Sequence, residues 1–426
     1  MNPVDRAEQL IKRGGHVHLV GIGGIGMAGL AWLLRERDLH VSGCDLQDNR
    51  QVRWLSRHGI SIEIGHDSSH ATDAVDWLIR SSAVPCSNPE IQSAAELGLP
   101  VLRRGEVLPA LMRDRICIAV CGTHGKTTTT SLIAQVLACG YCIGGELNGI
   151  EGVAKDGELM VVEADESDGT IAGYTPDFTV ITNIEYDHME HHASESAFIG
   201  CFEELIRHTK QRVYYRADDS ISKRICADHA KCEPFYLPEV PFQLPLHGRH
   251  NQWNAAGAAA VCRRWKSERE IAEALRHVKP VRRRFETVLD AAGIRIITDY
   301  AHHPTEIAAL IQTARELNPK RLLGIFQPHR YTRTRALGAD FPPSLEGLDG
   351  LWLVPVYAAS EEPLPGGTVG DLAGHFPASW NGRLVISPSL DQAWNDIAEQ
   401  LRSGDLLLII GAGDIEQLAE RARALR

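Results

Sequence analysis

Short, nearly continuous apolar runs alternate with helical patterns along the whole chain. Leu159–Ala164 and Phe178–Thr182 contain few polar positions, which is typical of strands inside a parallel sheet that is covered on both faces. After the run Ile116–Val120, apolar side chains repeat at helical spacing up to about Ala138. This alternation of strands and helices predicts an α/β protein with doubly wound parallel sheets.

The alternation restarts twice, so the chain divides into three predicted domains. The first begins with the strand Val17–Val20, the second with Ile116, and the third after the basic segment Arg282–Arg284. The strands predicted in the third domain are Ile294–Thr298, Arg321–Phe326, Leu351–Val356, Leu384–Ser387 and Leu406–Ile410. We predict a Rossmann-like N-terminal domain over 1–113, a central P-loop domain over 114–281 and a C-terminal Rossmann-like domain over 282–426.

The length and composition of the chain are those of several ordinary globular domains, and its charge disfavours two classes of binding partner. The chain has 426 residues, and 44 Lys and Arg against 55 Asp and Glu give a formal net charge of −11. This acidic balance disfavours nucleic acids and anionic membranes, which attract clustered basic residues. No apolar run approaches the ~20 residues that span a bilayer, and the first residues lack the apolar core of a signal peptide. Ten dispersed cysteines are typical of free thiols, so we expect a cytoplasmic protein.

The segment Gly122–Thr127 is the strongest chemical signal in the sequence. It connects a predicted buried strand to a predicted helix, where backbone N–H groups and the helix N-terminus can face a polyphosphate. Lys126 supplies a charge for the β and γ oxygens, and the Thr127 hydroxyl can hold Mg²⁺. Val120 occupies the first glycine position of the usual G-x-x-x-x-G-K-[ST] pattern. The surrounding strand and helix nevertheless favour a nucleotide site.

A second glycine-rich loop follows the first predicted strand. Gly21, Gly23 and Gly26 match G-x-G-x-x-G, and Asp45 lies about twenty residues further on. In that pattern a pyrophosphate rests on the helix N-terminus while the acid reads a ribose. The loop therefore indicates a pyrophosphate ligand, which need not be NAD, while a ligand-free turn stays open.

Acidic side chains follow two strands of the predicted central domain. Glu163 comes directly after an apolar strand, and His188 follows the end of the next strand along the chain. If these strands flank the one that precedes Lys126, both side chains point toward the γ-phosphate. Oxygen ligands with one imidazole suit Mg²⁺ that is shared with phosphate, although an acidic cluster can also be only a solvated loop.

Polar groups also mark a helix start and two strand ends further along the chain. His250, Asn251 and Asn254 open an alanine-rich helix, where the amides could bond an adenine edge or only cap the helix. Asp299 ends one strand of the third domain, and the segment 328–335 after the next strand holds three arginines. Arginines grouped at a strand end favour bidentate capture of a carboxylate or phosphate.

These motifs, in this order, resemble the Mur ligase family over essentially the whole chain. The family's nucleotide loop has the shortened form seen here, which accounts for Val120. The motifs that carry the resemblance are Gly21–Met27, Ser42–Asp45, Gly122–Thr129, 163–168, Thr182–Glu185, 187–189, Gly248–Asn251, Arg283–Phe285, Asp299–Glu306 and Phe326–Thr334.

The resemblance implies a role for each matched residue. UDP-sugar contacts would come from Gly23, Gly24, Ile25, Gly26, Asp45, Ser82, Glu166, Ser167 and Asp168. ATP contacts would come from Gly122, Thr123, His124, Gly125, Lys126, Thr127, Thr128, His250, Asn251, Asn254, Arg284 and Asp299. Magnesium would be held by Thr127, Glu163 and His188, and the amino acid and sugar carboxylate by Tyr300, His302, Arg330 and Arg333. The residues expected to be catalytic are Lys126, Glu163, His188, His302 and Arg330.

The reaction implied by the resemblance is ATP-dependent ligation of L-alanine to the lactyl carboxylate of UDP-N-acetylmuramic acid in bacterial peptidoglycan synthesis. It would proceed through an acyl phosphate, in a monomer or weak homodimer. One departure of the sequence from several family members is that Gly200 stands about where they carry a modified lysine beside a second magnesium.

Three alternatives stay open at this point. A recycling ligase of the same family would attach a whole tripeptide to the same sugar. An NAD-dependent oxidoreductase would use the Gly21–Asp45 pattern but would leave Lys126 and Glu163 without a function. A non-catalytic nucleotide-binding regulator would retain the acids, the lysine and the arginines without needing them for turnover.

Overall fold

Three β-sheets organise the chain, one in each predicted domain. The computed structural model describes residues 2–166, 169–186, 192, 194–359 and 361–425. It forms two compact units, one of Met1–Pro245 with Asn251–Lys279 and the other of Leu246–His250 with Pro280–Arg426. The architecture is that of a three-domain α/β protein. The predicted boundaries at 113/114 and 281/282 stay predictions.

The first sheet is parallel and has the strand order β3-β2-β1-β4-β5. Its strands are β1 His16–Val20, β2 His40–Asp45, β3 Ser61–Ile64, β4 Trp77–Arg80 and β5 Val101–Arg103. Its helices are α1 Pro3–Arg13, α2 Ile25–Arg35, α3 Arg50–Arg57, α4 Pro89–Glu96 and α5 Arg104–Leu111. The strand order reverses beside β1, and in such sheets ligands bind at the carboxyl ends of the strands next to that point.

The second sheet has the strand order β12-β11-β10-β6-β9-β7-β8 and is parallel except for the β7–β8 pair. Its strands are β6 Ile116–Cys121, β7 Gly140–Cys142, β8 Ala154–Lys155, β9 Leu159–Glu163, β10 Phe178–Ile181, β11 Arg212–Arg216 and β12 Cys232–Phe235. Its helices are α6 Lys126–Leu137, α7 Glu195–His208, α8 Ser220–Cys226, α9 Arg249–Cys262 and α10 Glu268–Arg276. Strand β6 is central, and β9 and β10 flank it as predicted.

The third sheet lies in the second unit and has the strand order β13-β14-β18-β15-β16-β17. Its strands are β13 Glu286–Ala291, β14 Ile294–Asp299, β15 Arg321–Phe326, β16 Gly350–Leu353, β17 Arg383–Ile386 and β18 Asp405–Ile410. Its helices are α11 Pro304–Glu316, α12 Tyr331–Ala336, α13 Phe341–Ser344, α14 Val369–Gly374, α15 Leu390–Ala398 and α16 Glu416–Arg423. Only β13 runs antiparallel to its neighbour.

The first two sheets share one hydrophobic core within the first unit. Buried side chains of both regions, among them Trp54 and Val162, belong to a single apolar cluster. Gly152 approaches Trp54 so closely that a Cβ there would lie 2.6 Å from the indole Cζ2. The two regions therefore pack as one body.

Two further features concern the class of protein. No helix in the described ranges is both long and apolar enough to cross a membrane. All ten cysteines are free, and in that part of the chain no two of them form a disulfide.

Candidate active site

The loop that precedes α6 connects the central strand of the second sheet to a helix N-terminus. Strand β6 is almost entirely buried, and the chain turns at Gly125, whose φ of +82° is in the left-handed region that glycine adopts without a steric cost. Asn254 of α9 lies against this turn, since a Cβ on Gly125 would be 2.3 Å from its Oδ1. The loop therefore presents backbone N–H groups at a helix start, the arrangement that binds phosphate.

The residues that follow β10 hold this loop in place. The side chain of Asn183 accepts a hydrogen bond from the His124 N–H at 3.0 Å and donates one to the His124 carbonyl at 2.8 Å. Thr182 donates to the same carbonyl at 2.6 Å. Thr123 donates its hydroxyl to the carbonyl of Glu185 at 2.8 Å. The loop conformation is thus fixed by a neighbouring strand.

Lys126 is the first residue of α6 and is mostly buried. Its Nζ donates to Glu166 Oε1 at 2.7 Å and to the carbonyls of Gly122 and Thr123 at 2.8 and 3.2 Å. Burial opposes its charge, but the carboxylates of Glu166, Asp165 and Glu163 outweigh that effect and raise the pKa of Lys126. The ammonium therefore stays protonated at the phosphate loop.

Glu166, which the sequence places among the sugar contacts, instead pairs with Lys126. Its side chain is fully buried, and burial raises its pKa even though Lys126 acts in the opposite direction. Its second oxygen, Oε2, is buried and makes no hydrogen bond to any described residue. The predicted sugar contact of Glu166 stays a prediction, and Ser167 and Asp168 lie outside the described residues.

The predicted magnesium ligands Thr127 and Glu163 are brought together. The Thr127 hydroxyl donates to Glu163 Oε1 at 3.1 Å, while the Gly144 N–H donates to Glu163 Oε2 at 2.8 Å. These hard oxygen donors beside a phosphate loop suit Mg²⁺. Glu166, which pairs with Lys126 through Oε1, has its other oxygen, Oε2, buried without a hydrogen bond to a described residue. The residues present thus fit the ion. His188, the third predicted ligand, lies outside the described residues.

The remaining ATP contacts predicted for the central domain lie on the first turns of α6 and α9. Thr128 is buried in the first turn of α6. Asn251 and Asn254 are buried on α9, and the Asn254 amide donates to Asn251 Oδ1 at 3.1 Å. The structure places Asn254 beside Gly125, and the base contacts of the two amides stay predictions.

The N-terminal glycine loop follows β1 and leads into α2. Asp45, the last residue of β2, accepts a hydrogen bond from the Gly23 N–H at 2.9 Å. The Asn49 side chain donates to the Gly23 carbonyl at 3.0 Å, so two side chains hold this glycine. Gly24 caps α2, Ile25 and Gly26 form its first turn, and Ser82 follows β4. The strand order supports a phosphate-binding turn here, because β1 and β4 are neighbours at the reversal of the sheet.

Arg104 lies between Gly26 of the N-terminal glycine loop and Asp165 of the central region, and it was not found by the sequence reasoning. Its guanidinium approaches Gly26, where a Cβ would be 2.9 Å from Nη1, and its Nη2 is 3.5 Å from Asp165 Oδ2. Arg104 begins α5, which neighbours the Gly21–Gly26 loop only after folding. An arginine in an Arg-Arg-Gly segment matches no ligand-binding motif, so the sequence alone did not indicate a role for it.

Asp299 closes the end of β14 in the second unit. Its two oxygens accept hydrogen bonds from the N–H groups of Phe285 and Ala301 at 2.7 and 2.8 Å, and burial raises its pKa. The guanidinium of Arg284 is stacked near the Tyr300 ring, 5.2 Å from its centroid. Burial, and then Arg284, lowers the pKa of His250 to about 4. Asp299 thus holds the backbone, and its predicted ribose contact stays a prediction.

The predicted amino-acid contacts gather at one edge of the third sheet. The His302 ring lies 5.6 Å from the rings of both Tyr300 and His329. Arg333 is nearly buried on α12, with Nη1 3.3 Å from His329 Nδ1. His329 carries no pattern of its own, so its place between His302 and Arg333 emerges only from the fold.

Arg330 has a backbone conformation that is unusual for its residue type. Its φ is +68°, a strained value for a side chain with a Cβ. Its N–H donates to the Tyr357 carbonyl at 2.8 Å, and its guanidinium Nη1 lies 3.7 Å from Glu361 Oε1. Glu361 also accepts from the Thr332 hydroxyl at 2.6 Å. The strained turn therefore directs the Arg330 guanidinium toward Glu361.

Sequence comparison matches three regions of the chain to one family. Residues 16–116 match the Mur ligase family catalytic domain, residues 120–237 the Mur ligase middle domain, and residues 283–413 the Mur ligase glutamate ligase domain. These three regions correspond to the three sheets.

Full-length relatives agree with the family profiles. The chain is 40% identical to a UDP-N-acetylmuramate–L-alanine ligase of Kineococcus radiotolerans, over 97% of this chain and 96% of the relative. The solved UDP-N-acetylmuramate–alanine ligase of Thermotoga maritima is 27% identical, with a TM-score of 0.82 over 96% of this chain and 98% of that one. A murein peptide ligase from Psychrobacter arcticus is 22% identical with a TM-score of 0.73, over 96% and 98% of the two chains, and shares the fold.

Proposed function

The chain belongs to the Mur ligase family, and from this premise we propose that it joins L-alanine to the lactyl carboxylate of UDP-N-acetylmuramic acid at the expense of ATP. The observation that carries the proposal is the likeness to a ligase of that activity along 97% of the chain. The contacts of Lys126 and Glu163 support it, because they supply the nucleotide chemistry that a synthetase of this kind needs.

ATP binds at the loop before α6. The N-terminus of α6 faces the phosphates, while the N–H groups of Thr123 and His124 are donated to Asn183 and shape the loop. Lys126 neutralises charge on the β and γ oxygens. In the structure Lys126 donates to Glu166 and to two loop carbonyls, so its ammonium is already held at the loop. Thr127 and Glu163, with His188, would hold Mg²⁺, which supplies charge neutralisation at the transferred phosphoryl group.

The sugar nucleotide binds at the loop before α2. Its diphosphate rests on the N-terminus of that helix. Gly23 allows Asn49 and Asp45 to pack against the loop, since a Cβ there would lie 2.7 Å from Asn49 Nδ2. Asp45 orients the loop by accepting from the Gly23 N–H, and Arg104 adds a cation at Gly26. This accounts for the dinucleotide-like pattern without a nicotinamide cofactor.

The amino acid and the sugar carboxylate are held by residues of the third sheet. Arg330 and Arg333 supply guanidinium groups that bind carboxylates, and His302 with Tyr300 supplies polar contacts near the amine. Asp299 keeps the end of β14 fixed through its bonds to Phe285 and Ala301.

The reaction follows from the chemistry of the carboxylate. A carboxylate resists attack by an amine, so the γ-phosphoryl group of ATP is first transferred to one carboxylate oxygen, which gives an acyl phosphate and ADP. The alanine amine then attacks the acyl carbon, the C–O bond to phosphate breaks, and the amine proton leaves to solvent. Both steps build negative charge, which Lys126 and the arginines stabilise.

One assay decides among the functions left open by the sequence. The protein is incubated with ATP, MgCl₂, UDP-N-acetylmuramic acid and one of L-alanine, glycine, L-serine or the tripeptide, and phosphate release and product mass are measured. We expect turnover with L-alanine. Turnover with the tripeptide alone would reject the substrate proposal, and nucleotide binding without any phosphate release would indicate a regulator.

Two further parts of the proposal concern the molecule in the cell. We place the enzyme in the bacterial cytoplasm, where its nucleotide substrates are made, as a monomer or weak homodimer without nucleic-acid or membrane partners. Sedimentation at several protein concentrations measures the oligomeric state, and a stable tetramer would contradict it.

A further inference from the structure

A cluster of nitrogen, sulfur and oxygen donors lies inside the first sheet, away from the nucleotide chemistry. His18 comes from β1, Cys44 from β2, Glu90 from the first turn of α4, and His70 from a short 3₁₀ turn at Ser68–His70. One donor atom of each of these four residues lies within 4.8 Å of the other three. His18, Cys44 and Glu90 are buried, and His70 is half-buried.

The donors lie slightly closer to Glu90 than the ligands of a tetrahedral ion lie to one another. Glu90 Oε2 is 2.9 Å from Cys44 Sγ and 3.3 Å from His18 Nε2, and Glu90 Oε1 is 3.1 Å from His70 Nδ1. Ligands at ~2.0–2.3 Å from a tetrahedral zinc ion are about 3.3–3.8 Å apart. A shift of a few tenths of an ångström would therefore open the cluster enough for an ion.

His18 supplies the independent sign of a ligand. Its side chain is 4% exposed, and its Nε2 points at Glu90 without a hydrogen bond to any residue in the described ranges. Its other nitrogen, Nδ1, lies 2.8 Å from the Ser42 hydroxyl, which in turn contacts His16 Nε2 at 2.7 Å. With its proton on Nδ1 and donated to Ser42, His18 would present the Nε2 lone pair to an ion, as at histidines that ligate metals.

From these contacts we propose that His18, Cys44, His70 and Glu90 bind one Zn²⁺ ion. Two imidazoles, a thiolate and a carboxylate are the donor types that zinc prefers, and four protein ligands make a closed, structural site. Binding replaces the thiol proton of Cys44, which is released to solvent. His66 lies beside the site, with its Nδ1 3.3 Å from Cys44 Sγ, and could replace one of the four ligands.

The ion would stabilise the strand ends that carry the proposed sugar-nucleotide site. Cys44 directly precedes Asp45, whose carboxylate accepts from the Gly23 N–H, and β1 carries His18 three residues before Gly21. The site therefore links β1 and β2, the two strands whose ends hold the Gly21–Gly26 loop. It takes no part in the phosphoryl transfer.

The test is metal content and metal spectroscopy of the full-length protein. The chain is loaded with Zn²⁺ alone, gel-filtered and analysed for zinc, and the apoprotein is titrated with Co²⁺ alone. We expect one tightly held zinc per chain, a thiolate-to-cobalt charge-transfer band, and visible d–d bands with the intensity of a tetrahedral ion. We also expect zinc at 100 times its Kd to raise the Tm of the apoprotein by about 5 °C.

Matched variants identify the ligands. His70→Gln and Cys44→Ser should abolish zinc retention and the charge-transfer band, while Cys86→Ser, at an exposed cysteine, should change neither. Ser42→Ala should raise the Kd for zinc by ~10–100-fold. If Cys44→Ser does not fold, the cobalt spectrum of the unmodified chain decides. Absence of both zinc and the charge-transfer band in that chain would show that the cluster is only an ion-pair network.

Discussion

At the scale of single residues, Lys126 is held between a buried carboxylate and the carbonyls of its own loop. We propose that the lysine binds nucleotide phosphates, and it also compensates Glu166, which is fully buried. Removing one member of a buried pair leaves an uncompensated charge, whereas removing both can be nearly neutral. Catalysis and stability at this position can therefore be separated by experiment.

We expect Lys126→Met to abolish phosphate release, by at least ~10²–10³-fold in kcat, and to lower the free energy of unfolding by about 3 kcal/mol. The double variant Lys126→Met, Glu166→Gln should recover most of the stability and none of the activity. Urea denaturation and the phosphate assay measure the two effects. Recovery of activity in the double variant would show that the nucleotide site is elsewhere.

Gly23 has no room for a side chain, because a Cβ would lie 2.7 Å from Asn49 Nδ2 and 2.9 Å from Asp45 Oδ2. Gly23→Ala should therefore displace both side chains and raise the KM for UDP-N-acetylmuramic acid about tenfold, which corresponds to ~1.4 kcal/mol. The KM for ATP should not change. Gly374→Ala is the matched control, because it lies outside this loop and a Cβ there would have no neighbour within 4 Å.

At the scale of elements, the ends of helices and strands determine where the charged side chains lie. Helix α5 begins at Arg104 beside Gly26, and its next residue is so close to the central region that a Cβ on Gly105 would lie 2.3 Å from Thr170 Oγ1. Helix α5 thus contacts both the N-terminal glycine loop and the central region. In the second unit, Asp405 and Arg321 join the starts of β18 and β15, with Arg321 Nε donating to Asp405 Oδ1 at 2.9 Å.

This strand-end pair gives a prediction with a defined pH dependence. Burial would raise the pKa of Asp405, but Arg321 and the Arg402 N–H outweigh it and lower the pKa. The stabilisation is therefore present above the unfolded-state pKa of ~3.9 and is lost as the pH falls through the folded value. Asp405→Asn should cost about 1.5–3 kcal/mol at pH 7, and the difference should shrink below pH 4.

Urea denaturation of the unmodified chain and of Asp405→Asn at pH 7 and pH 3 measures this difference. A similar substitution of the exposed Asp391 on α15 serves as the control and should have a small effect at both values. An equal cost of Asp405→Asn at both values would contradict an ionic contribution.

At the scale of the whole molecule, the first two sheets share one core although their sequences begin as separate domains. Trp54 of the first region is 5% exposed and packs against Gly152 of the second. Trp54→Ala should therefore cost ~3–5 kcal/mol and should increase global hydrogen exchange equally in β1 and β6. Trp265→Ala, at a more exposed ring, is the control. Loss of protection in β1 alone would show that the two regions unfold independently.

The sequence was sufficient for features that depend on one continuous segment. The apolar run Phe178–Thr182, the turn at Gly125 and helix α6 were predicted because each has its own local pattern. The antiparallel strand β13 was not predicted, since Glu286–Ala291 mixes polar and apolar positions beside an arginine segment. Its pairing with β14 follows from contacts across the sheet.

The site was predictable to the same extent. Lys126, Thr127 and Glu163 follow adjacent strands, so their meeting could be inferred. The Lys126–Glu166 pair and the approach of Arg104 to Gly26 depend on side-chain packing between segments that are far apart in the chain. No spacing in the sequence encodes such contacts.

The backbone at Arg330 would influence how this enzyme responds to selection. A non-glycine residue at φ +68° stores of order 1–3 kcal/mol of strain, which glycine would relieve. Selection for heat resistance alone would thus favour glycine at a position where we expect catalysis to require the guanidinium. A thermostable library built without an activity screen would accumulate inactive clones at this codon.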